Sequence, residues 1–208
     1  MPETANLSRP RCPWCLAGTA APDPVYIRYH DEEWGAPLHD DDALFELLVL
    51  EGAQAGLNWR MVLHRRPGYR AAFGGDENAV LSPGVVARLT EADQERLRAD
   101  ARIIRNRQKI AAAIGNARAF LDIQSAHGSF DAYLWRFVEG RAVQNAWNAP
   151  HEVPLRTPQS DALAEDLRSR GMKFVGTTIM YAFMQASGLV NDHLTACFRH
   201  AELAARAR

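Results

Sequence analysis

Cysteine is scarce in this chain: only Cys12, Cys15 and Cys197 occur. Three is too few and odd for a disulfide framework, which points to a reducing compartment, the cytoplasm. Long apolar runs are missing too. None approaches the ~20 residues that a membrane span requires, and the chain does not begin with a basic start followed by an apolar block, so neither a membrane partner nor a secretory leader is expected. No stretch alternates polar and apolar residues as a half-buried strand would, no Asn-Gly hairpin signal occurs and no internal repeat is visible. Net charge is nearly absent, −1 over 208 residues, so no overall excess of positive charge advertises a nucleic-acid partner.

What is present fits a soluble helical protein. A hydrophobic content of 47% in 208 residues is enough for one well-cored domain, built here as two helical lobes. The charge is unevenly spread. From Asp31 to Trp59 there are eight acids and no Lys or Arg, whereas Arg96 to Arg118 carries seven basic residues. Such asymmetry makes one positive face on a neutral molecule, or else a solvated, ion-paired helix surface.

Residues 1–10 are polar and aperiodic and read as a disordered tail. Residues 11–37 hold Trp14, Tyr26, Tyr29, Trp34 and four prolines, and read as an ordered loop with at most short helical turns. Helical periodicity begins after Asp40, with Leu44, Leu47, Leu48 and Glu51 on one face. Asn58 caps a second helix through Leu63, and Pro67 opens a third that ends near Gly74-Gly75. Ser82-Pro83 starts a short helix to Leu89, and Thr90-x-x-Asp93 resembles a capping box. Ile110, Ile114, Ala117 and Leu121 form the core stripe of a longer helix. Further helices are expected over Phe130–Val138, Asp161–Arg170 with Ser160 as cap, Thr177–Ser187, and Asp192–Ala205 with Asn191 as cap.

Chemistry concentrates in Leu50–Trp59. Burying the Glu51 carboxylate costs roughly several kcal/mol unless something meets it. Trp14, Tyr26, Tyr29, Trp34 and Trp59 lie near it in sequence, and an aromatic stack around one carboxylate suits a cationic planar ligand. His193-x-x-x-Cys197 places two metal-ligand residues one helical turn apart. Cys12 and His30 are candidates to complete a closed Cys2His2 zinc site, with Cys12-x-x-Cys15 as a competing spacing. The Ala101–Lys109 turn between two helices sets backbone amides beside Arg105, Arg107 and Lys109, an arrangement suited to a DNA phosphate.

The blocks Tyr26-x-x-Tyr29-His30-Asp31-x-Glu33-Trp34-Gly35, Leu50-Glu51-Gly52-x-Gln54-Ala55-Gly56-Leu57-x-Trp59, Ile114-Gly115-Asn116-Ala117-Arg118, Lys173-Phe174-Val175-Gly176-Thr177-Thr178 and Gly188-Leu189-Val190-Asn191-Asp192-His193 resemble the 3-methyladenine DNA glycosylase I family. The similarity runs from about Arg11 to Cys197. It implies an all-α, two-lobed fold of the helix-hairpin-helix glycosylase superfamily over residues 11–208, in which a structural zinc tethers the N- and C-terminal segments. The zinc ligands would be Cys12, His30, His193 and Cys197. Glu51 would be the base-recognising carboxylate, with Tyr29 and Trp59 sandwiching the base and Trp14, Tyr26 and Trp34 as the surrounding wall. Gly56-Leu57 would fill the gap left in the duplex, and Arg105, Arg107 and Lys109 would contact DNA. Arg102 stands in the hairpin where relatives commonly carry Gly, and Cys15 is an extra thiol. The implied partners are double-stranded DNA with alkylated bases and the product 3-methyladenine, handled by a monomer in a bacterial cytoplasm. The implied activity is hydrolysis of the N-glycosidic bond of 3-methyladenine after base flipping. A non-catalytic, zinc-stabilised helical domain that binds DNA or alkylated bases is the alternative.

Overall fold

The structure is a computed structural model that describes residues 8–18 and 21–206. The expected tail over residues 1–10 therefore lies mostly outside the described residues. Its last part is not a loose tail: Phe198 donates its backbone N–H to the Pro10 carbonyl at 3.0 Å, and the Arg9 guanidinium lies 3.5 Å from the Phe198 ring centre.

Eleven α-helices are defined among the described residues. The first is α1 (Pro24–Arg28), which continues directly into a π-helical turn, Tyr29–Glu33. The short helical turns expected within 11–37 thus join into one helical stretch over residues 24–33. Pro24 occupies the first helical position, where a missing N–H costs nothing, and Asp23 caps the Val25 and Tyr26 amides. Then come α2 (Asp41–Gln54), α3 (Trp59–His64), α4 (Arg66–Tyr69), α5 (Pro83–Val86), α6 (Glu91–Ala99), α7 (Arg107–His127) and α8 (Phe130–Trp135). The last three are α9 (Pro158–Ser169), α10 (Thr177–Ala186) and α11 (Phe198–Arg206). The Thr90–Asp93 capping box and the Asn58 cap form as expected.

Two boundaries move. Helix α9 starts after Thr157 rather than Ser160, because Pro158 takes the first position and Ser160 closes the capping box as its third residue. The expected Asp192–Ala205 helix begins only at Phe198, and Val190–Asn191 forms β2 of a minimal parallel ribbon with β1 (Val143–Gln144). Two-residue strands are too short to show alternation in a sequence.

Helix α2 is the axis of the core. Every residue from Leu44 to Ala53 is buried, and α3, α7, α8 and α10 pack around it. Its burial is all-round rather than confined to one face, and it includes Glu46. That carboxylate is held by Arg66 and Arg70 at 2.5–2.8 Å and accepts the Leu81 amide at 3.1 Å, which keeps it below the usual carboxylate range. Arg66 also reaches Glu33, and Arg11 grips Asp31, so part of the acidic stretch is neutralised by arginines from elsewhere.

The 35–38 segment docks on the end of α10 through Gly35 N–H to Gln185 O and Leu38 N–H to Ser187 O. Gly188 makes this possible. Its φ is +72°, and an added Cβ would stand 2.3 Å from the Ala36 carbonyl carbon. Gly188→Ala is expected to destabilise the protein by about 3 kcal/mol or more, from left-handed strain plus overpacking. Denaturant unfolding measures this, and an unshifted midpoint would contradict it.

Candidate active site and metal cluster

The π-helical turn sets two neighbours to different tasks: Tyr29 faces a cavity and His30 faces a cluster of sulfur and nitrogen atoms. The cavity holds about 290 Å³. That is near the lower end of the ~300–1,000 Å³ usual for small-molecule sites and is scaled to a single planar base. All six residues expected to contact the base line it: Trp14, Tyr26, Tyr29, Trp34, Glu51 and Trp59. Trp14 is the hub of the wall, with edge contacts to Tyr26 at 5.0 Å, Trp34 at 5.1 Å and Tyr29 at 6.4 Å between ring centres.

Glu51 comes from the last turn of α2 and is 3% exposed. Its Oε2 has no hydrogen-bond partner, and burial alone pushes its pKa up to about 8. Trp59, the first residue of α3, also carries an unpartnered buried polar atom, the indole Nε1. Buried polar atoms are normally paired, so two orphans on one cavity wall mark where a ligand's polar edge belongs. The Tyr29 hydroxyl pKa is raised well above normal, by burial first and by Glu51 second.

The expected sandwich takes a different form. Tyr29 and Trp59 are 5.5 Å apart at 52°, less than the roughly 7 Å that two stacking distances of about 3.4 Å would need. The two rings lie against each other as adjoining walls of the cavity and leave no gap between them for a third ring.

Gln54, Gln185 and Asp192, to which the sequence reading assigned no role, also line the cavity. Asp192 is 2% exposed and accepts four hydrogen bonds, from Asn145 Nδ2, Trp147 Nε1, the Tyr181 hydroxyl and Gln185 Nε2, at 2.6–2.8 Å. All four donors are neutral and saturate it. The signal was not local, because the donors lie 7 to 47 residues away.

Behind this wall Cys12, His30, His193 and Cys197 bring their ligand atoms within 4.8 Å of one another, all buried. The S···N separations are 3.6 Å for Cys12–His193, 3.5 Å for Cys197–His30 and 3.5 Å for Cys197–His193. A tetrahedral ion with Zn–S near 2.3 Å and Zn–N near 2.05 Å requires about 3.6 Å, so the four residues fit a metal ion. The second ring nitrogens are also held, His30 Nδ1 by Asp31 at 2.8 Å and His193 Nε2 by the Trp34 carbonyl at 2.9 Å. Cys15 stands outside the cluster. Its thiol points to the Cys12 carbonyl at 3.2 Å, and burial raises its pKa to about 12, so it stays protonated. His193 and Cys197 meet through a turn ahead of α11, not along a helix as the spacing suggested.

At the mouth, Gly56 has φ +73° and Leu57 is 38% exposed, an apolar tip braced by Gln54, whose Nε2 donates to the Leu57 carbonyl at 3.3 Å. Of the expected DNA-contacting cations, Arg105 and Arg107 are exposed and form no ion pair among the described residues. Lys109 turns inward to the Ala53 and Ala55 carbonyls. Arg102 pairs with Asp100, and its backbone lies against Gly68.

An aromatic cavity lined by a buried carboxylate with an unpartnered oxygen, in a helical protein, has the size and chemistry for one planar ligand. Residues 19–200 match the methyladenine glycosylase family, and the chain belongs to that family. It is 48% identical over 187 residues to the DNA-3-methyladenine glycosylase 1 of Escherichia coli strain K12, covering 90% of this chain and 95% of that one. A crystal structure of 3-methyladenine DNA glycosylase I superposes with a TM-score of 0.83 at 48% identity, covering 91% of this chain and 98% of the other. A second, of a Tyr-to-Phe variant in complex with 3-methyladenine, gives 0.81 at 36% identity, covering 88% and 95%.

Proposed function

We propose that the protein excises 3-methyladenine from alkylated DNA by hydrolysing the N-glycosidic bond of a flipped-out nucleotide. The observation that carries this reading is a base-sized aromatic cavity lined by Glu51 and Trp59, each of which carries an unpartnered buried polar atom, Oε2 and Nε1. N3-methylation leaves adenine cationic in DNA. Water adds its oxygen to C1′ and releases one proton to solvent, the bond electrons leave with the base, and the base departs neutral. Little general-acid help is needed, which agrees with a site rich in recognition and poor in free acids and bases. The aromatic corner stacks the cation, and Glu51 supplies the countercharge that unmodified adenine does not repay.

On the DNA side, the exposed Leu57 would fill the gap in the duplex, and Arg105 and Arg107 would meet phosphates. A helix-hairpin-helix contact is better supplied by residues 170–176 between α9 and α10 than by the Ala101–Lys109 turn. The first contains Gly171 and Gly176, and α10 has no side-chain cap over its first amides, whereas Asn106 already occupies the Lys109 amide at the start of α7. Cys12, His30, His193 and Cys197 would hold a structural zinc. Four protein ligands leave no open position, so the ion would fix the aromatic segment and take no part in hydrolysis.

Incubation with methylated duplex DNA should release free 3-methyladenine, read by chromatography, with multiple turnovers per enzyme. Tight binding without release would favour the non-catalytic alternative.

A further inference from the structure

Lys109 is the one cation of the α7 start that does not face solvent freely. Its Nζ donates to the Ala53 carbonyl at 2.8 Å and to the Ala55 carbonyl at 2.7 Å, and it lies 6.0 Å from the Phe174 ring centre. Ala53 is in the last turn of α2 and Ala55 is its C-cap. The final carbonyls of a helix have no partners within it and carry the negative end of its dipole, so an ammonium there is favoured twice over. The far end of the same loop is also fixed: Asn58 caps α3 by accepting the Met61 amide. Between these two clamps only Gly56 and Leu57 remain, with Leu57 at the exposed tip.

We infer that Lys109 is a positioning residue that holds the Gly56–Leu57 wedge in its inserting conformation, rather than a phosphate contact. The inference rests on the reading of Leu57 as the wedge. A loop that must enter a base stack loses less entropy when it is already ordered. Tying its base to α7, with the Leu57 backbone bonded back to Gln54 through both its N–H and its carbonyl and its side chain left exposed, supplies that order. Phe174 strengthens the frame. Its φ is +57°, it packs where a Cβ on Gly52 would come within 3.5 Å of it, and the preceding Lys173 is gripped at both its N–H and its carbonyl by the Asn116 amide at 2.9 Å. Lys109 and Asn116 lie seven residues apart, two turns on one face of α7, so one helix registers the α2 end against the 170–176 hairpin.

The test compares Lys109→Met, Lys109→Arg and Leu57→Ala on methylated duplex, methylated single strands and free 3-methyladenine. Lys109→Met should lower kcat/KM on duplex by roughly tenfold to a hundredfold, the scale of losing charge-assisted hydrogen bonds. Single-strand excision and free-base affinity should stay within about twofold, since neither has a gap to fill. Lys109→Arg should recover most of the duplex activity. The salt dependence of duplex binding separates the two roles: a lost phosphate contact reduces the log–log slope by about 0.9, whereas a positioning residue leaves it unchanged. A reduced slope, or an equal loss on single strands, overturns the inference. Impairment by Leu57→Ala without impairment by Lys109→Met also overturns it and leaves the wedge intact. Unimpaired Leu57→Ala removes the wedge and the inference together.

Discussion

Glu51→Gln is expected to lose 3-methyladenine excision by at least about a hundredfold while making the free protein more stable. Both effects come from one carboxylate that has burial and no partner. Its folded pKa, about 8, lies above its ordinary value of 4.5. Below about 4.5 both folded and unfolded chains hold the proton and the group costs nothing. As pH rises the unfolded chain ionises first, so stability is lost progressively between about 4.5 and 8. At pH 7 the loss is on the order of 3 kcal/mol. The amide removes that titration but still pays its own desolvation, leaving a net gain of about 1 kcal/mol or roughly 2–4 °C in Tm. Activity moves the opposite way, because only the carboxylate balances a cationic base. In the wild type, kcat/KM should climb with pH through about 8, since the methylated base carries a fixed charge and the ascending limb belongs to Glu51. The Gln variant should show no such limb. Wild-type rates in Glu51→Gln, or a profile that falls over this range, would remove Glu51 from its role.

Cys197→Ser and His193→Ala are expected to abolish metal retention, destabilise the protein by several kcal/mol or more, and weaken 3-methyladenine binding in the same step. The coupling is geometric. His30 follows Tyr29 in the same π-helical turn, Trp14 lies 5.3 Å from the His30 ring centre, and His193 Nε2 accounts for the Trp34 carbonyl. Three pocket walls thus lean on the cluster, which has only a small satellite of apolar neighbours of its own. Elemental analysis should find about one zinc per wild-type chain and none in either variant. Thermal melts with and without chelator should reproduce the loss, and tryptophan fluorescence should report the failure to bind free base. Retained base affinity in metal-free protein would break the coupling.

Much of this was legible locally. Caps announce helices because they involve neighbours: Thr90 with Asp93, and Asn58 with Met61. Five of the six cavity residues were legible because they sit in two short blocks, from α1 through Trp34 at the end of its π turn and across the α2–α3 junction, while Trp14 comes from the separate Pro13–Cys15 turn. Where reading failed, a distant partner decided. Pro22 and Pro24 look like breakers until Pro24 is found at a helix start. Nothing near Glu46 in sequence announces its burial, because Arg66 and Arg70 reach it from 20 and 24 residues away. The segment after Asn191 does not become helix at once, because Asp192 is claimed by donors from α10 and from Asn145 and Trp147 and Asn191 pairs in a strand. Lys109 reads as a free cation only until α2 ends beneath it.

The cluster joins residues 181 positions apart, Cys12 to His193. Contacts of such separation close a very long loop and rank among the last that a folding chain can make. During synthesis α2 can pack against α3, α7 and α8 while α10 and residues 193–197 are still inside the ribosome, since those three helices come well before them in the chain. The aromatic wall has to wait. A newly made molecule would thus pass through a state with a partly built core and an unfinished aromatic wall, and capture of an ion by these four residues would be a late step of its maturation.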